Sequence, residues 1–268
     1  MTNQKQQKIN WWEEEHGFFG DFYLEGDNSK EGYLIGKKQS LQERTITEVD
    51  GIVGLLDLQT GNSIIDVPCG YGRHSIELAK RGFNVTGCDI NSVHLGKAIE
   101  SATKQNVMVD FKKLNMLDID YNKKFDAVIN MFYSFGFFET DEENEKVLIN
   151  FYNALKEGGK FLMHTDVNIP RIINGKYRED ETRNLATGKQ LRIIDKYDSF
   201  TKRIEGIWII KEADGKEVSR DYSVRVYTRD EFEQMCLKVG FSKVEVYGDW
   251  DKSLYDEDSE DMMVVATK

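Results

Sequence analysis

A chain of 268 residues with 40% hydrophobic and 31% charged residues has the composition of an ordinary globular protein, long enough for one large domain or a domain with an insertion. Its formal charge of -11 argues against a nucleic-acid partner, because phosphate backbones are bound through Lys and Arg. No apolar run approaches the roughly 18 residues of a membrane span; the polar start Met1-Thr2-Asn3-Gln4-Lys5 is no signal peptide, and three cysteines without metal or CxxC spacing (Cys69, Cys88, Cys236) fit a reducing cytoplasm.

Residues 1–40 form an aromatic and glycine-rich arm, with Trp11, Trp12, Phe18, Phe19, Phe22, Tyr23 and Tyr33 set among Glu13, Glu14 and Glu15. So many rings need a surface to bury against, so the arm is expected to pack on the main domain or to close over a ligand as a lid. Ile46, Val49, Ile52, Val53 and Leu56 recur at helical spacing and predict a helix over 41–56. Strands follow at 63–67, 83–89, 107–113 and 125–130, separated by helical stretches at 75–80 and 93–104, the latter capped by Asn91 or Ser92. A helix over 141–155 has acids in its first turn and is expected to end on Gly158-Gly159, before a fifth strand at 160–165. This alternation implies a doubly wound α/β sheet. The pattern breaks after Pro170: residues 171–227 alternate polar and apolar (Leu191, Ile193; Ile204, Ile207, Ile209; Tyr222, Val224, Val226) between turns at Thr187-Gly188-Lys189 and Asp214-Gly215. They read as an inserted antiparallel β meander that serves as a cap or as the contact of a homodimer. Thr228-Arg229-Asp230-Glu231 is a capping box for a helix to Val239, and strands at 241–248 and 262–266 complete the sheet.

The chemistry concentrates in Ile64-Ile65-Asp66-Val67-Pro68-Cys69-Gly70-Tyr71-Gly72-Arg73-His74-Ser75, a strand running through a glycine turn into a helix. Such a turn suits a nucleotide-like ligand, and Asp89 at the end of the next strand stands where ribose hydroxyls are bound. The turn is shared by nicotinamide dinucleotide and S-adenosylmethionine sites. An anionic Asp66 at the strand end repels a pyrophosphate and suits a ligand with a sulfonium and an ammonium, which favours the methyl donor.

Asp66-Val67-Pro68-Cys69-Gly70-Tyr71-Gly72-Arg73-His74 resembles the first motif of class I S-adenosylmethionine-dependent methyltransferases. Val85 to Asn91 resembles their second motif, Phe125 to Glu139 the fourth-strand motif of a small-molecule subgroup, and Leu155 to Gly159 the turn before the fifth strand. The resemblance covers residues 41–268. It implies a Rossmann-like seven-stranded sheet in the order 3-2-1-4-5-7-6 with the last strand antiparallel, formed by residues 41–170 and 228–268. It also implies S-adenosyl-L-methionine as cofactor, with Asp66, Pro68, Gly70, Gly72 and Arg73 at the methionine end and Asp89 on the ribose. Ile90, Asn115, Met116 and Leu117 would meet the adenine, Met131, Phe132 and Tyr133 would flank the methyl donor, and Arg44 would reach its carboxylate.

Methyl transfer from a sulfonium is an in-line displacement, to which alignment alone contributes about 7–11 kcal/mol. Neither a metal nor a nucleophile triad is called for; a base is needed only where the acceptor must lose a proton, and Tyr133, His164 and Asp166 are the candidates. His74 reads as packing beside the methyl donor, and His16 as a group on the arm. The acceptor pocket is expected between the arm, the Tyr133–Phe138 loop and the meander. Its rings (Phe132, Tyr133, Phe135, Phe137, Phe138, Trp208, Tyr227) suit a partly apolar small molecule accepting the methyl on O, N or C. An NAD(P)-dependent oxidoreductase and a non-catalytic protein that binds the same ligand are the alternatives.

Overall fold

The computed structural model describes residues 10–27 and 40–268. The expectations for the Met1-Thr2-Asn3-Gln4-Lys5 start and for Tyr33 lie outside the described residues. Among its described residues the arm carries one short helix, α1 (Asp21–Asp27), and the first long element is α2 (Leu41–Leu56). Ser40 and Glu43 form a reciprocal capping box at its start, worth about 1 kcal/mol. Val49, Ile52, Leu55 and Leu56 then bury one face of α2, and each such side chain contributes roughly 1.5–3 kcal/mol.

The α/β frame follows as β1 (Ser63–Asp66), α3 (Arg73–Lys80), β2 (Asn84–Asp89), α4 (Ser92–Lys104), β3 (Asp110–Lys113), β4 (Phe125–Asn130), α5 (Asp141–Ala154) and β5 (Leu155–Thr165). After a short helix α6 (Ile169–Ile173) come β6 (Asp180–Asn184), β7 (Gln190–Asp198), β8 (Arg203–Lys211) and β9 (Glu217–Arg225). The chain closes with α7 (Arg229–Val239), β10 (Lys243–Tyr247) and β11 (Met262–Thr267). The large sheet runs β3-β2-β1-β4-β5-β11-β10. Its first five strands are parallel, and β11 is antiparallel to both β5 and β10. In chain order this is 3-2-1-4-5-7-6, the expected topology. Five of the six β4 residues are buried, as a central parallel strand covered by helices on both faces requires.

The structure corrects one helix end, adds two short helices and decides between two expected caps. Helix α5 does not end on a glycine: it stops at Ala154, Leu155 is already extended, and β5 runs through Gly158 and Gly159 to Thr165. Leu155 is fully buried and pairs with Phe125 of β4, so the core draws the chain into the sheet before the glycines are reached. The helices α1 and α6 were not foreseen; both are short enough to lack a full apolar stripe. Asn91 rather than Ser92 caps α4, accepting from the Val93 and His94 amides.

The meander β6–β9 is a separate antiparallel sheet. Its inner face buries Leu191 and Ile193 of β7, Ile204, Trp208 and Ile210 of β8, and Val224 of β9, so on β8 the expected Ile207 and Ile209 are corrected to Trp208 and Ile210, which share the face of Ile204. Gly206 of β8 lies between Asp195 of β7 and Tyr222 of β9. A Cβ on Gly206 would stand 2.2 Å from Tyr222 Cζ, so only glycine lets the tyrosine ring lie across that strand.

The arm bridges the two sheets. Phe18 packs on Trp208 and Tyr222 of the meander, with ring centroids 5.2 and 4.6 Å away, while the Asn91 amide of the α/β frame donates to the Phe19 carbonyl at 2.8 Å.

Candidate active site

Ligands of doubly wound sheets bind beyond the carboxyl ends of the strands, where the strand order reverses, here between β1 and β4. A cavity of about 980 Å³, its open mouth included, lies there. Pro68, Gly70, Arg73, Asp89, Ile90, Asn115, Met116, Met131 and Arg44 line it, nine positions that the sequence places at the cofactor. The turn supplies Gly70 at φ +53, with open space where a side chain would begin. Gly72 does not line the cavity; at φ +80, a Cβ there would stand 2.8 Å from Ala98 Cβ, so this glycine serves the packing of α3 on α4.

Asp89 is locked in place by the backbone it follows. Its Oδ2 accepts from the Gly70 amide and its Oδ1 from the Asn91 amide, each at 2.8 Å. Burial pushes its carboxyl up, and those amides and His94 pull it back. Each oxygen keeps a lone pair for a ligand hydroxyl. The Asn115 oxygen accepts from the Leu117 amide at 3.0 Å, which organises the turn at Met116–Asp118; Leu117 itself packs into the core instead of lining the cavity.

Asp66 is a correction. It does not line the cavity: Ser75 donates to its Oδ2 at 2.6 Å, and its Oδ1 is buried without a hydrogen-bond partner among the described residues. Burial pushes its carboxyl up to about 7. It stands behind the turn as a half-charged group near neutral pH, rather than as a fixed anion in the pocket.

At the other end of the cavity, α2, α3 and the arm assemble a charge network. Arg44 lies 3.5 Å from Glu48 and 3.6 Å from Asp27, while Arg73 also pairs with Glu48. His74 Nε2 is 2.9 Å from the same Glu48 carboxylate, and Tyr71 donates to Asp27. Burial pushes the Glu48 carboxyl up, yet Arg73, His74 and Arg44 together hold it well below the usual range. Burial and Arg73 push His74 down to about 4, so its ring is neutral and acts by packing, stacked 5.8 Å from Phe132. Two cationic side chains therefore face the cavity with their positions fixed from behind.

Phe132 is the wall of this cavity and also of a second one, of about 1210 Å³, enclosed by the arm and the meander. Phe19, Tyr23 and Phe137 line both as well. Phe132 and Tyr133 hold φ values of 52 and 54, left-handed backbone that costs non-glycine residues about 1–3 kcal/mol each. His164 holds them there: its carbonyl accepts from the Tyr133 amide at 2.9 Å, and its Nδ1 from the Phe132 amide at 3.4 Å. The His164 ring is itself fixed by Asp261 at 3.4 Å and by stacking on Trp250.

The three candidate bases are thus separated. His164 lines neither cavity and positions the Phe132–Tyr133 turn instead. Tyr133 lines the second cavity and not the first; its hydroxyl donates to the Arg225 carbonyl, and burial pushes its pKa well up, so it is poorly suited to accept a proton. Asp166 lines the second cavity. Of the expected pocket rings, Phe132, Tyr133, Phe137 and Trp208 line it too, whereas Phe135, Phe138 and Tyr227 belong to the core under β4 and β5. His16 is exposed on the arm, away from both cavities. Glu48, Asp27, Asp195, Tyr177 and Tyr222 were not singled out as polar groups of the site. Only Glu48 had a local signal, four residues after Arg44 on one helix.

The model of the methyltransferase domain family matches residues 64–159, the segment from β1 into β5. A Geobacillus sp. protein described as a methyltransferase is 27% identical over 217 residues, covering 78% of this chain and 86% of that protein. The glycine/sarcosine N-methyltransferase of Halorhodospira halochloris is 25% identical over 241 residues, covering 84% of this chain and 82% of that enzyme. The crystal structure of an S-adenosylmethionine-dependent methyltransferase from Clostridium acetobutylicum superposes with a TM-score of 0.71 at 15% identity, over 92% of this chain and 97% of that one. With the glycine turn, the ordered Asp89 and the 3-2-1-4-5-7-6 sheet, these likenesses show a methyltransferase domain over residues 64–159, built on the fold of class I S-adenosylmethionine-dependent methyltransferases.

Proposed function

We propose that the first cavity binds S-adenosylmethionine and that the second holds the small-molecule acceptor, the methyl crossing beside Phe132. The observation that carries this reading is that the two cavities share Phe132, Phe19, Tyr23 and Phe137. The residues present suit the cofactor. Gly70 leaves its backbone open, Asp89 offers two ordered acceptor oxygens to ribose hydroxyls, and Arg44 and Arg73 offer cations to a carboxylate. Ile90, Asn115 and Met116 supply the adenine wall, with Pro68 and Met131 beside the turn. The bound cofactor supplies an electrophilic methyl on sulfur. The protein's part is to align the two partners and to exclude water with the aromatic arm, which we read as a lid over both cavities. The Halorhodospira relative is named for glycine and sarcosine, which supports an acceptor of small size.

Residues 171–227 act in this reading as the cap of the acceptor site, and the outer face of that sheet is the surface a second copy would use. Light scattering at working concentration tests the dimer. No helix among the described residues is long and apolar enough to cross a membrane. Calorimetry with S-adenosylhomocysteine tests the main reading: saturable one-to-one binding is expected, and no heat with either this product or S-adenosylmethionine overturns it.

A further inference from the structure

The second cavity has a polar floor that an apolar acceptor does not need. Its walls are rings: Phe18, Phe19, Tyr23, Phe132, Trp208 and Tyr222. Four carboxylates line it: Glu181 is paired with Arg178 and Arg183, and Glu260 with Arg171, which leaves Asp166 just after β5 and Asp195 in the middle of the inner face of β7. Asp195 occupies an inward position of the meander where its neighbours two and four residues back are Ile193 and Leu191, and it is only 6% exposed. The site around it is built. Tyr177 donates to its Oδ2 at 2.8 Å and Tyr222 to its Oδ1 at 2.5 Å, and the latter bond exists because Gly206 leaves the strand between them bare. A buried carboxylate in an apolar sheet face is costly, and two hydroxyl donors keep its charge in place.

Asp166 differs. Among the described residues its carboxylate is reached only by its own backbone amide and makes no ion pair. The charged groups around it are His164 on its own strand, Asp261 at the entry to β11, and Arg183 and Asp195 on the meander. Burial and Asp261 raise its carboxyl while His164 and Arg183 lower it, leaving it above the usual range. Burial raises Asp195 as well, against its two tyrosines, and the charge of Asp166 adds to that rise. Arg183 on the floor is already paired with Glu181. Two like charges that feel each other across an aromatic cavity are relieved by a cation placed between them, and the ring faces favour the same cation.

We propose that the acceptor is a primary or secondary amine, held as its ammonium against Asp166 and Asp195, with Asp166 taking its proton before methyl transfer. The inference rests on the second cavity being the acceptor site. Asp195, with both oxygens already hydrogen-bonded, is the less basic of the two and serves as the fixed anion. Asp166, with only its own backbone amide and no hydroxyl donor, is the more basic and accepts the N–H proton. The freed nitrogen lone pair then forms the C–N bond as the S–CH3 bond breaks, and the electron pair of that bond stays on sulfur as a neutral thioether. The product leaves as a methylated ammonium, and the proton on Asp166 returns to solvent at the open rim of the cavity.

The test compares matched acceptors that differ in one atom: glycine with glycolate, glucosamine with glucose, and benzylamine with benzyl alcohol. Each is assayed for methylated product with S-adenosylmethionine, and for binding to the enzyme saturated with S-adenosylhomocysteine by saturation-transfer NMR. At least one amine is expected to bind and to be methylated while its hydroxyl partner is not. Asp166→Asn is expected to lower kcat by about 10²-fold or more, and Asp195→Asn to act mainly on KM, both with product-complex calorimetry unchanged as the check on folding. Turnover of a hydroxyl partner in preference to its amine overturns the inference, as does an Asp166→Asn enzyme of undiminished kcat. Failure of every amine both to bind and to react overturns it as well. If S-adenosylhomocysteine itself does not bind, it is the methyltransferase reading that fails.

Discussion

The two cavities share four rings and are built on different plans. The first is centred on β1, α3 and β2, and its polar groups are held by other protein groups before any ligand arrives: Asp89 by two amides, Arg44 by Glu48 and Asp27, and Arg73 by Glu48. The second is gathered from the arm, the end of β5 and the meander. Its walls are rings with charged side chains between them, and Asp166 is held by no donor but its own backbone amide. A fixed polar frame recognises one invariant ligand, whereas a ring-lined chamber with a few charges can be retuned from one acceptor to another without disturbing the fold.

Four experiments bear on that contrast. The largest effect is expected from Glu48→Gln, which leaves two arginines at the first cavity without their shared anion. Breaking a buried pair costs about 3–5 kcal/mol, read as a fall in thermal midpoint; an unchanged midpoint means the frame is not prebuilt. The same residue sets a pH limit. Because the folded carboxyl lies below the ordinary 4.5, its stabilisation is present above that value and is lost only as pH falls through the lower folded value. Asp89→Ala comes next: loss of a charge-assisted contact should weaken S-adenosylhomocysteine about 10²-fold in calorimetry, and a variant that binds normally removes Asp89 from the site.

Phe132→Ala addresses the shared wall. It should lower kcat by about 10-fold or more through misalignment while product binding changes less, and equal losses in both would show that the wall belongs to one cavity alone. The smallest effect is a pH trend at Asp66. Its carboxyl at about 7 should make S-adenosylhomocysteine bind less tightly as pH falls from 8 to 6, and Asp66→Asn should flatten that slope. In the unliganded protein the sign reverses. A raised carboxyl contributes stability below its ordinary 3.8 that is lost as pH rises through about 7, so urea unfolding should show the mutant less sensitive over that window.

The first cavity was largely legible in the sequence because its residues sit at strand ends within short motifs, and strand ends are fixed by the sheet. Nine of its positions could be named from Asp66 to Asn91, Asn115 to Met131 and Arg44. What misled was reach: Asp66 and Gly72 occupy motif positions, yet Ser75 holds one behind the turn and α4 closes on the other. Motif spacing does not say which side of a turn a group serves. The second cavity was legible only as a place, between the arm and the meander. Asp195 continued the inward alternation Leu191, Ile193 in plain view, but an acid at an inward position gains meaning only when Tyr222 is seen crossing Gly206, and that register is a property of three strands together. Likewise the buried pull of Leu155, and not the glycines after it, decided where α5 gave way to β5.

The arm's double attachment bears on the proposed lid. Trp11 lines the first cavity, Phe18 the second and Phe19 both, and a side chain on Gly26 would meet Trp208 at 2.5 Å, so this short stretch is seated closely on the meander. Lifting it bares both chambers in a single movement. Cofactor exchange and acceptor exchange would then share one gate, and the spent thioether and the methylated product would leave on the same clock.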